Sequence, residues 1–270
     1  MTIDAADIAH WRGWIGREER RSERLDGEAL RRFAAAIGES LDVARDWPSL
    51  GHWAFFLPVV AADEVGEDGH PRRGGFLPPI TLPRRMFAAA EMTFDAALEP
   101  DVEAVRTSTI DDVRHRDGAS GTLVLVDVSH RIVQHGRLCV TERQTIVYRD
   151  GGGATPAIVP GAPVAGEAWQ PSPVDLFRFS AATFNGHRIH YDAAYAHDEE
   201  GYPGLVVHGP FTAARLFGLA RRTQGAVTAF SFRAQAPIFL GQPVALVADG
   251  EGYRAIRADG MTAMHAKTNR

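Results

Sequence analysis

The chain has 270 residues, of which 45% are hydrophobic; it is long enough for one large domain or two smaller ones, and a wholly disordered protein is excluded. With 29 Lys and Arg against 34 Asp and Glu, the net charge of -5 argues against nucleic acid as a partner. No apolar run reaches the roughly 20 residues that a membrane span needs, and the first residues contain no apolar signal core. The single cysteine, Cys139, allows neither an internal disulfide nor a thiolate metal cluster. These features predict a cytoplasmic protein without a membrane partner.

The first half of the chain is predicted to begin with helix and to continue with long strands. The first ~45 residues, including the highly charged stretch 17–32, favour helix. Residues 63–75 are charged and contain glycines, which is typical of a surface loop. Apolar residues then alternate with a period near two, so residues 122–130 and 137–148 predict antiparallel strands.

Glycine and proline separate the two halves. Residues 149–173 contain three consecutive glycines and five prolines, which excludes a helix or a central strand and predicts a linker. We therefore expect an amino-terminal domain at 1–149, a linker at 150–173 and a carboxy-terminal domain at 174–270. In the second half, helices are predicted at 192–197 and 210–222, and strands at 226–232, 243–248 and 253–257.

A weak internal repeat indicates that the two halves are similar. The segment MTFDA at 92–96 is echoed 138 positions later by FSFRA at 230–234, and a polar turn follows each segment. Each half combines strands with one longer helix. We predict an α+β architecture of two units, each a curved antiparallel sheet wrapped around a central helix.

The residues that indicate chemistry lie in the second half. Residues 184–192 read FNGHRIHYD, residues 201–210 read GYPGLVVHGP, and four of the eleven histidines fall within 22 residues. Three interpretations compete: metal binding, capping and surface histidines, or acid–base chemistry. His187 and His190 could share a helical face around a metal. Asn185–Gly186 favours a turn there instead, and no acidic third ligand follows at a fixed spacing, so we assign no metal ligand.

The acid–base interpretation uses both stretches. Asn185 and His190 lie five residues apart in one loop, which can direct both side chains at one water molecule. An unperturbed imidazole, with a pKa near ~6.5, exchanges protons close to neutral pH. Gly209 immediately precedes an apolar helix, so its backbone N–H can bind a thioester carbonyl as it becomes an enolate. Hydration of the β-carbon of an acyl thioester requires these three groups.

Residues 180–245 resemble the MaoC-like hydratase/dehydratase family, whose hot-dog domains contain an Asp-x-Asn-Pro-x-His motif. The catalytic Asp of the family falls on Asn185 and its catalytic His on His190. The family's His-Gly at the start of the central helix matches His208 and Gly209, which implies Gly209 as the oxyanion donor. The closer match is to the subgroup of mesaconyl-C4-CoA (3-methylfumaryl-CoA) hydratases and mitochondrial-type 3-hydroxyacyl-thioester dehydratases. The amino-terminal half, with GHWAFFLP at 51–58 and LPRRM at 82–86, is similar to the degenerate hot-dog domain found there, so the resemblance implies a double hot-dog fold.

The resemblance also implies an activity, which is that of a hydro-lyase adding water reversibly to an enoyl-CoA thioester. The expected reaction converts mesaconyl-C4-CoA to citramalyl-CoA. It implies an acyl-CoA partner and no cofactor, and it allows a homodimer. The alternatives are a straight-chain (R)-3-hydroxyacyl-thioester dehydratase, for which an acyl-carrier protein is a further partner, and an acyl-CoA-binding or thioesterase hot-dog protein.

Asn185 departs from the family motif, because an amide cannot accept a proton as a carboxylate does. We expect His190 to be the principal base, taking a proton from a water molecule that Asn185 holds. His187 replaces the usual Asn of the motif, and the alternative is that it shares the proton transfer.

A dicarboxylic substrate needs a cation for its free carboxylate, and the CoA phosphates need others. Arg84, Arg85 and Arg188 are the candidates, because a guanidinium binds carboxylates and phosphates through two parallel hydrogen bonds. His187 and His208 complete the predicted substrate-binding set. The alternative for Arg84 and Arg85 is solvated surface charge, and for Arg188 it is bracing of the loop.

Overall fold

One antiparallel sheet of ten strands forms the frame of the molecule. A computed structural model describes residues 3–118, 121–151 and 154–268, so Gly152 and Gly153 of the predicted linker lie outside the described residues. The strands are β1 (Glu18–Arg24), β2 (Arg84–Phe94), β3 (Glu103–Gly118), β4 (Gly121–Gln134), β5 (Arg137–Arg149), β6 (Glu167–Trp169), β7 (Ala229–Ala234), β8 (Val244–Asp249), β9 (Gly252–Arg257) and β10 (Thr262–Thr268).

The strand order shows that the sheet consists of two equivalent halves. It runs β1-β3-β4-β5-β2 and then β7-β10-β9-β8-β6. Each strand of the first half corresponds to the strand whose number is higher by five, and the second half repeats the order of the first in reverse. The two segments of the weak repeat lie side by side at the junction, where Met92 of β2 pairs with Phe230 of β7. The prediction of two similar halves is therefore correct, and the domain boundaries at 149 and 173 stay a prediction.

Five α-helices accompany the sheet within the described residues. They are α1 (Ala5–Arg12), α2 (Gly27–Ala36), α3 (Pro173–Thr183), α4 (Ala193–Asp198) and α5 (Gly209–Gln224). Helix α5 precedes β7 and packs against β7 to β10, as expected of a central helix. Helix α2 holds the corresponding place before β2 but has only 10 residues against 16 in α5. The first unit therefore keeps the strand order with a shortened helix.

The expected helix over the charged stretch 17–32 is partly wrong, because residues 18–24 form β1. This strand lies at the edge of the sheet and pairs with β3, with Glu18 opposite Thr109. Its side chains alternate between exposed and half-buried. Because nearly all of them are charged, this alternation does not show as a period of two in hydropathy. Charged residues on an edge strand also prevent pairing with other chains.

The main core joins α2 and α5 to strands of both halves, and β5, which contributes Cys139 and Val140 to it, also has a buried acidic residue. Glu142 is 2% exposed. Its carboxylate accepts hydrogen bonds from Trp53 Nε1 at 3.0 Å and Gln144 Nε2 at 2.9 Å, and lies 3.1 Å from His52 Nε2. These donors satisfy a carboxylate that would otherwise be costly to bury.

Of the described residues between β5 and α3, 150–151 and 154–172, only the short strand β6 has regular structure, and it pairs with β8 at the edge of the sheet. Glycine and proline account for the irregularity of this segment, as the sequence predicts. Within the described residues, no helix is both long enough and apolar enough to cross a membrane.

Candidate active site

The loop that follows α3 forms the floor of the candidate site. Helix α3 ends because Phe184 adopts a left-handed conformation with φ of 49°, and the N–H of Asn185 donates to the carbonyl of Ser180 at 2.9 Å. The side-chain oxygen of Asn185 then accepts the N–H of His187 at 2.9 Å, and a short 3₁₀ turn follows at Arg188–His190. The oxygen of Asn185 is therefore occupied within the loop, which leaves its amide NH₂ group to act as a hydrogen-bond donor.

His190 is buried and fixed in one tautomer. Its Nδ1–H donates to the carbonyl of Val206 at 2.7 Å, so Nε2 has the lone pair that accepts a proton. Burial, with His208 and His187 close by, holds the pKa of His190 well below its usual value. The ring is therefore neutral and able to accept a proton across the physiological pH range.

His208 lies against His190 at the start of α5. The two rings stack with centroids 3.5 Å apart, and His208 Nε2 lies 2.8 Å from Ser180 Oγ. Burial lowers the pKa of His208 to about 3, with a smaller contribution from His187. Gly209 is the first residue of the 16-residue helix, where backbone N–H groups have no partner inside the helix and the dipole is positive. The predicted oxyanion donor thus follows directly after a residue in contact with the predicted base.

His187 belongs to a buried chain of polar groups that includes Glu200, a residue that was not predicted from the sequence. Its Nε2 lies 3.2 Å from Glu200 Oε1, and both side chains are buried. Arg84 Nε lies 3.9 Å from the other carboxylate oxygen of Glu200, and the Arg84 guanidinium also donates to the Glu200 carbonyl and covers the ring of Tyr202. Arg84 thus holds the carboxylate that orients His187. This finding excludes the alternative of solvated surface charge for Arg84.

A loop from the amino-terminal half brings two further residues that the sequence analysis missed. The ring of His70 lies 4.2 Å from the ring of His187, and Asp68 Oδ2 lies 3.2 Å from His70 Nδ1. Burial lowers the pKa of His70 to about 3, against the opposing effect of Asp68. Burial alone would raise the pKa of Asp68, but the hydrogen bonds and charge of His70 outweigh it and lower that pKa. The one local signal for this pair in the sequence is an Asp-x-His spacing, which lies inside a charged stretch typical of a surface loop.

The two loops meet through glycine backbone. A Cβ on Gly69, whose φ is +86°, would lie 1.8 Å from the carbonyl oxygen of Gly186, and a Cβ on Gly186 would lie 2.6 Å from that of Gly69. Beside this contact the N–H of Arg188 donates to the carbonyl of Asp68 at 3.0 Å. No side chain fits between the loops, so the glycines allow the halves to approach closely.

We expect Gly69→Ala to impair the site far more than backbone strain alone accounts for, because the new methyl group must push the two loops apart. Gly16→Ala is the matched control, since Gly16 has a φ of +82° and nothing within 4 Å of its Cβ position. Both variants should lose about 1–2 kcal/mol of stability from the left-handed conformation. Only Gly69→Ala should also lose activity, measured as the initial rate of hydration; equal rates in the two variants would contradict the loop contact.

The other two arginines of the predicted set differ in their surroundings. Arg188 donates to Asp192 Oδ2 at 2.8 Å and to the Glu67 carbonyl at 3.2 Å, and it stacks over Tyr195 at 4.2 Å. These contacts match the bracing alternative. Arg85 is half-buried on β2, and its charge acts on His70, Asp68 and Tyr148.

An open cleft of about 1070 Å³ lies beside these residues. Its walls come from both halves and contain charges of both signs, which are five carboxylates (Glu67, Asp68, Asp198, Glu199 and Glu200) and four arginines (Arg72, Arg73, Arg84 and Arg188). The volume suits a large ligand, and the arginines are cations that such a ligand could meet at the wall. Among residues 3–118, 121–151 and 154–268, no group of three or more His, Cys, Asp or Glu side chains is arranged to hold a metal ion.

Solved structures of other proteins share this fold. The structure is similar to that of HtdX from Mycobacterium tuberculosis, with a TM-score of 0.69 at 21% identity over 93% of this chain and 98% of that one. It is also similar to a M. tuberculosis protein described as a double hot-dog, with a TM-score of 0.54 at 12% identity over 94% and 95% of the two chains. The predicted double hot-dog fold is therefore confirmed.

Residues 48–240 match the sequence profile of the hydroxyacyl-thioester dehydratase type 2 family, and the chain belongs to this family. It is 43% identical to mesaconyl-C(4)-CoA hydratase of Chloroflexus aurantiacus over an alignment of 275 positions, gaps included, which covers 96% of this chain and 97% of that protein. It is 33% identical to the mitochondrial hydroxyacyl-thioester dehydratase type 2 of Schizosaccharomyces pombe over 118 residues, 41% of this chain and 39% of that one. The family resemblance read from the sequence is confirmed.

Proposed function

We propose that this protein is a hydro-lyase that adds water reversibly to the double bond of an enoyl-CoA thioester. The observation that supports this most is the state of His190, which is buried, uncharged and fixed by the Val206 carbonyl with Nε2 as its proton acceptor. The near full-length similarity to a hydratase supports the same class of reaction.

In the proposed hydration, His190 Nε2 accepts a proton from water while the water oxygen bonds to the β-carbon. The amide NH₂ of Asn185 donates to that water and holds it. The electron pair of the double bond moves to the thioester oxygen, and the Gly209 N–H at the positive end of α5 stabilises the resulting enolate. The α-carbon then receives a proton from protonated His190, or from His187 where that residue shares the transfer. Dehydration follows the same steps in reverse.

The proposed substrate is mesaconyl-C4-CoA, which becomes citramalyl-CoA. The similarity to the C. aurantiacus hydratase supports it, and the arginines beside the site provide cations for a second carboxylate. Arg84 is held by Glu200 and Arg188 by Asp192. We therefore assign the free carboxylate of the substrate to Arg85, which has no carboxylate of the described residues within 4.0 Å. Arg188 and the neighbouring arginines of the cleft face the CoA phosphates.

The substrate is tested by following the ultraviolet absorbance of the enoyl thioester with mesaconyl-C4-CoA and with crotonyl-CoA. We expect the wild type to hydrate mesaconyl-C4-CoA, and Arg85→Gln to raise its KM about tenfold or more while leaving any crotonyl-CoA turnover unchanged. A preference of the wild type for crotonyl-CoA would assign the straight-chain (R)-3-hydroxyacyl substrate; the name of the S. pombe relative specifies a hydroxyacyl thioester. Release of a free thiol in place of hydration would assign the thioesterase alternative.

Two further sequence-based predictions belong to this proposal. We propose a cytoplasmic location. We also propose a homodimer, and the alternative is a monomer, because two hot-dog units in one chain take the place of the dimer that single units form. The molar mass in solution decides between them, at about twice the 29.4 kDa of one chain for the homodimer and at that mass for the monomer.

A further inference from the structure

The Asp68–His70 pair lies at the junction of the two halves and is built as a unit. The carboxylate of Asp68 accepts the backbone N–H of His70 at 3.0 Å through Oδ1, and its Oδ2 lies 3.2 Å from His70 Nδ1. A carboxylate at Nδ1 fixes the proton on that nitrogen and sets the orientation of the ring. The pair therefore presents a rigid imidazole to whatever lies beside it.

The group beside it is His187, which is held from several directions. Asn185 accepts its backbone N–H, Glu200 lies at its Nε2, and the His70 ring lies across from its own ring at 4.2 Å and a 45° tilt. The ring of His190 lies at its other side, edge-on with centroids 5.4 Å apart. His70 therefore contacts the ring of His187 from the side of the amino-terminal half.

We propose that Asp68 and His70 form a positioning pair for His187, so that a loop of the amino-terminal half completes the acid–base site of the carboxy-terminal half. The inference rests on the proposed hydro-lyase function. It adds two residues of the amino-terminal half to the site. It also explains the contact between Gly69 and Gly186, which places the pair against His187.

The charge of the pair fits this role. Burial and the nearby cation of Arg85 outweigh Asp68 and hold the pKa of His70 near 3, so the ring is uncharged at neutral pH. A neutral ring packs against His187 without opposing the arrival of a proton there. Because Asn185 cannot accept protons, the orientation of the neighbouring imidazoles matters more in this site than in one with a carboxylate.

The test compares four variants with the wild type in steady-state hydration of mesaconyl-C4-CoA. His70→Asn keeps a donor toward Asp68 and removes the ring that faces His187, so kcat should fall about 10- to 100-fold while KM stays within about twofold. Asp68→Ala should resemble His70→Asn. Asp68→Asn should lose less activity than Asp68→Ala, since its one amide oxygen can still accept from Nδ1, although it cannot also accept the backbone N–H of His70.

His115→Asn is the matched control. His115 lies on β3 with Asp117 3.3 Å away and is 20% exposed, against 23% for His70, so this variant removes a comparable imidazole from outside the site. We expect it to keep wild-type kcat. Wild-type kcat in His70→Asn, or equal losses in Asp68→Asn and Asp68→Ala, would overturn the positioning pair.

A second readout separates this inference from the function on which it rests. The ring nitrogen resonances of His187, assigned with His187→Gln, should shift in His70→Asn and stay unchanged in His115→Asn. If the wild type hydrates no enoyl-CoA, the proposed function fails, and the resonances still decide the pair. A shift supports it, and an unmoved signal overturns it.

Discussion

His190→Asn should lower kcat for hydration by about 10²- to 10⁴-fold, the range typical of losing a general base. Asparagine retains an N–H donor close to the position of Nδ1, so the carbonyl of Val206 at 2.7 Å keeps a partner and the loop stays folded. The variant lacks the Nε2 lone pair to which the proposed mechanism assigns the proton from water. Initial rates of enoyl-thioester hydration measure the loss.

His197→Asn is the control for this variant. Its imidazole is on α4 and 73% exposed, and its removal should leave kcat unchanged.

The dependence of kcat/KM on pH in the wild type provides a second check, because the pKa of His190 is held well below its usual value by burial. The apparent pKa on the acid side of this profile should therefore lie well below ~6.5, the value of a free imidazole. A limb near that value, or a His190→Asn variant with wild-type kcat, would contradict the assignment of His190 as base.

Glu142→Ala should destabilise the protein by about 3–5 kcal/mol, because His52, Trp53 and Gln144 lose their shared buried acceptor. Urea denaturation measures the free energy of unfolding. The control is Glu91→Ala on the neighbouring strand β2, where Glu91 is exposed and the expected change is within about 0.5 kcal/mol. Similar losses in both variants would show that the buried cluster contributes no more than a surface glutamate.

The same cluster makes stability depend on pH. Burial alone would raise the pKa of Glu142, but the hydrogen bonds and charges of its neighbours outweigh it and lower the pKa from 4.5 to about 2. Because the folded form binds this proton more weakly than the unfolded form, the contribution is complete above the unfolded value and is lost as the pH falls through the folded one. The difference in unfolding free energy between wild type and Glu142→Ala should therefore narrow as the pH falls from about 5 through about 2.

The half of the site that is local in sequence could be predicted from the sequence. Asn185, His190, His208 and Gly209 lie within 25 residues, and their order matches one motif and one helix start. The structure stacks His190 on His208, which immediately precedes Gly209 at the start of α5, and it places Asn185 in the loop that leads to His190. Short-range patterns of this kind are visible because turn and cap residues have recognisable positions.

The other half of the site depends on contacts that no local pattern reports. His70 contacts His187 across more than a hundred residues, and Glu200 follows a short surface helix in which glutamate is unremarkable by composition. Likewise β1 was hidden by its charges, and β10 by buried alanines such as Ala263 and Ala266, whose small side chains give a weak hydropathy signal. Only tertiary pairing identifies them.

The most direct test of the account is the product formed from mesaconyl-C4-CoA in water enriched in oxygen-18, measured by mass spectrometry. We expect a CoA thioester heavier than the substrate by one labelled water, with no free thiol released. Label found in a free acid, with release of CoA, would contradict hydration and identify thioester cleavage in its place.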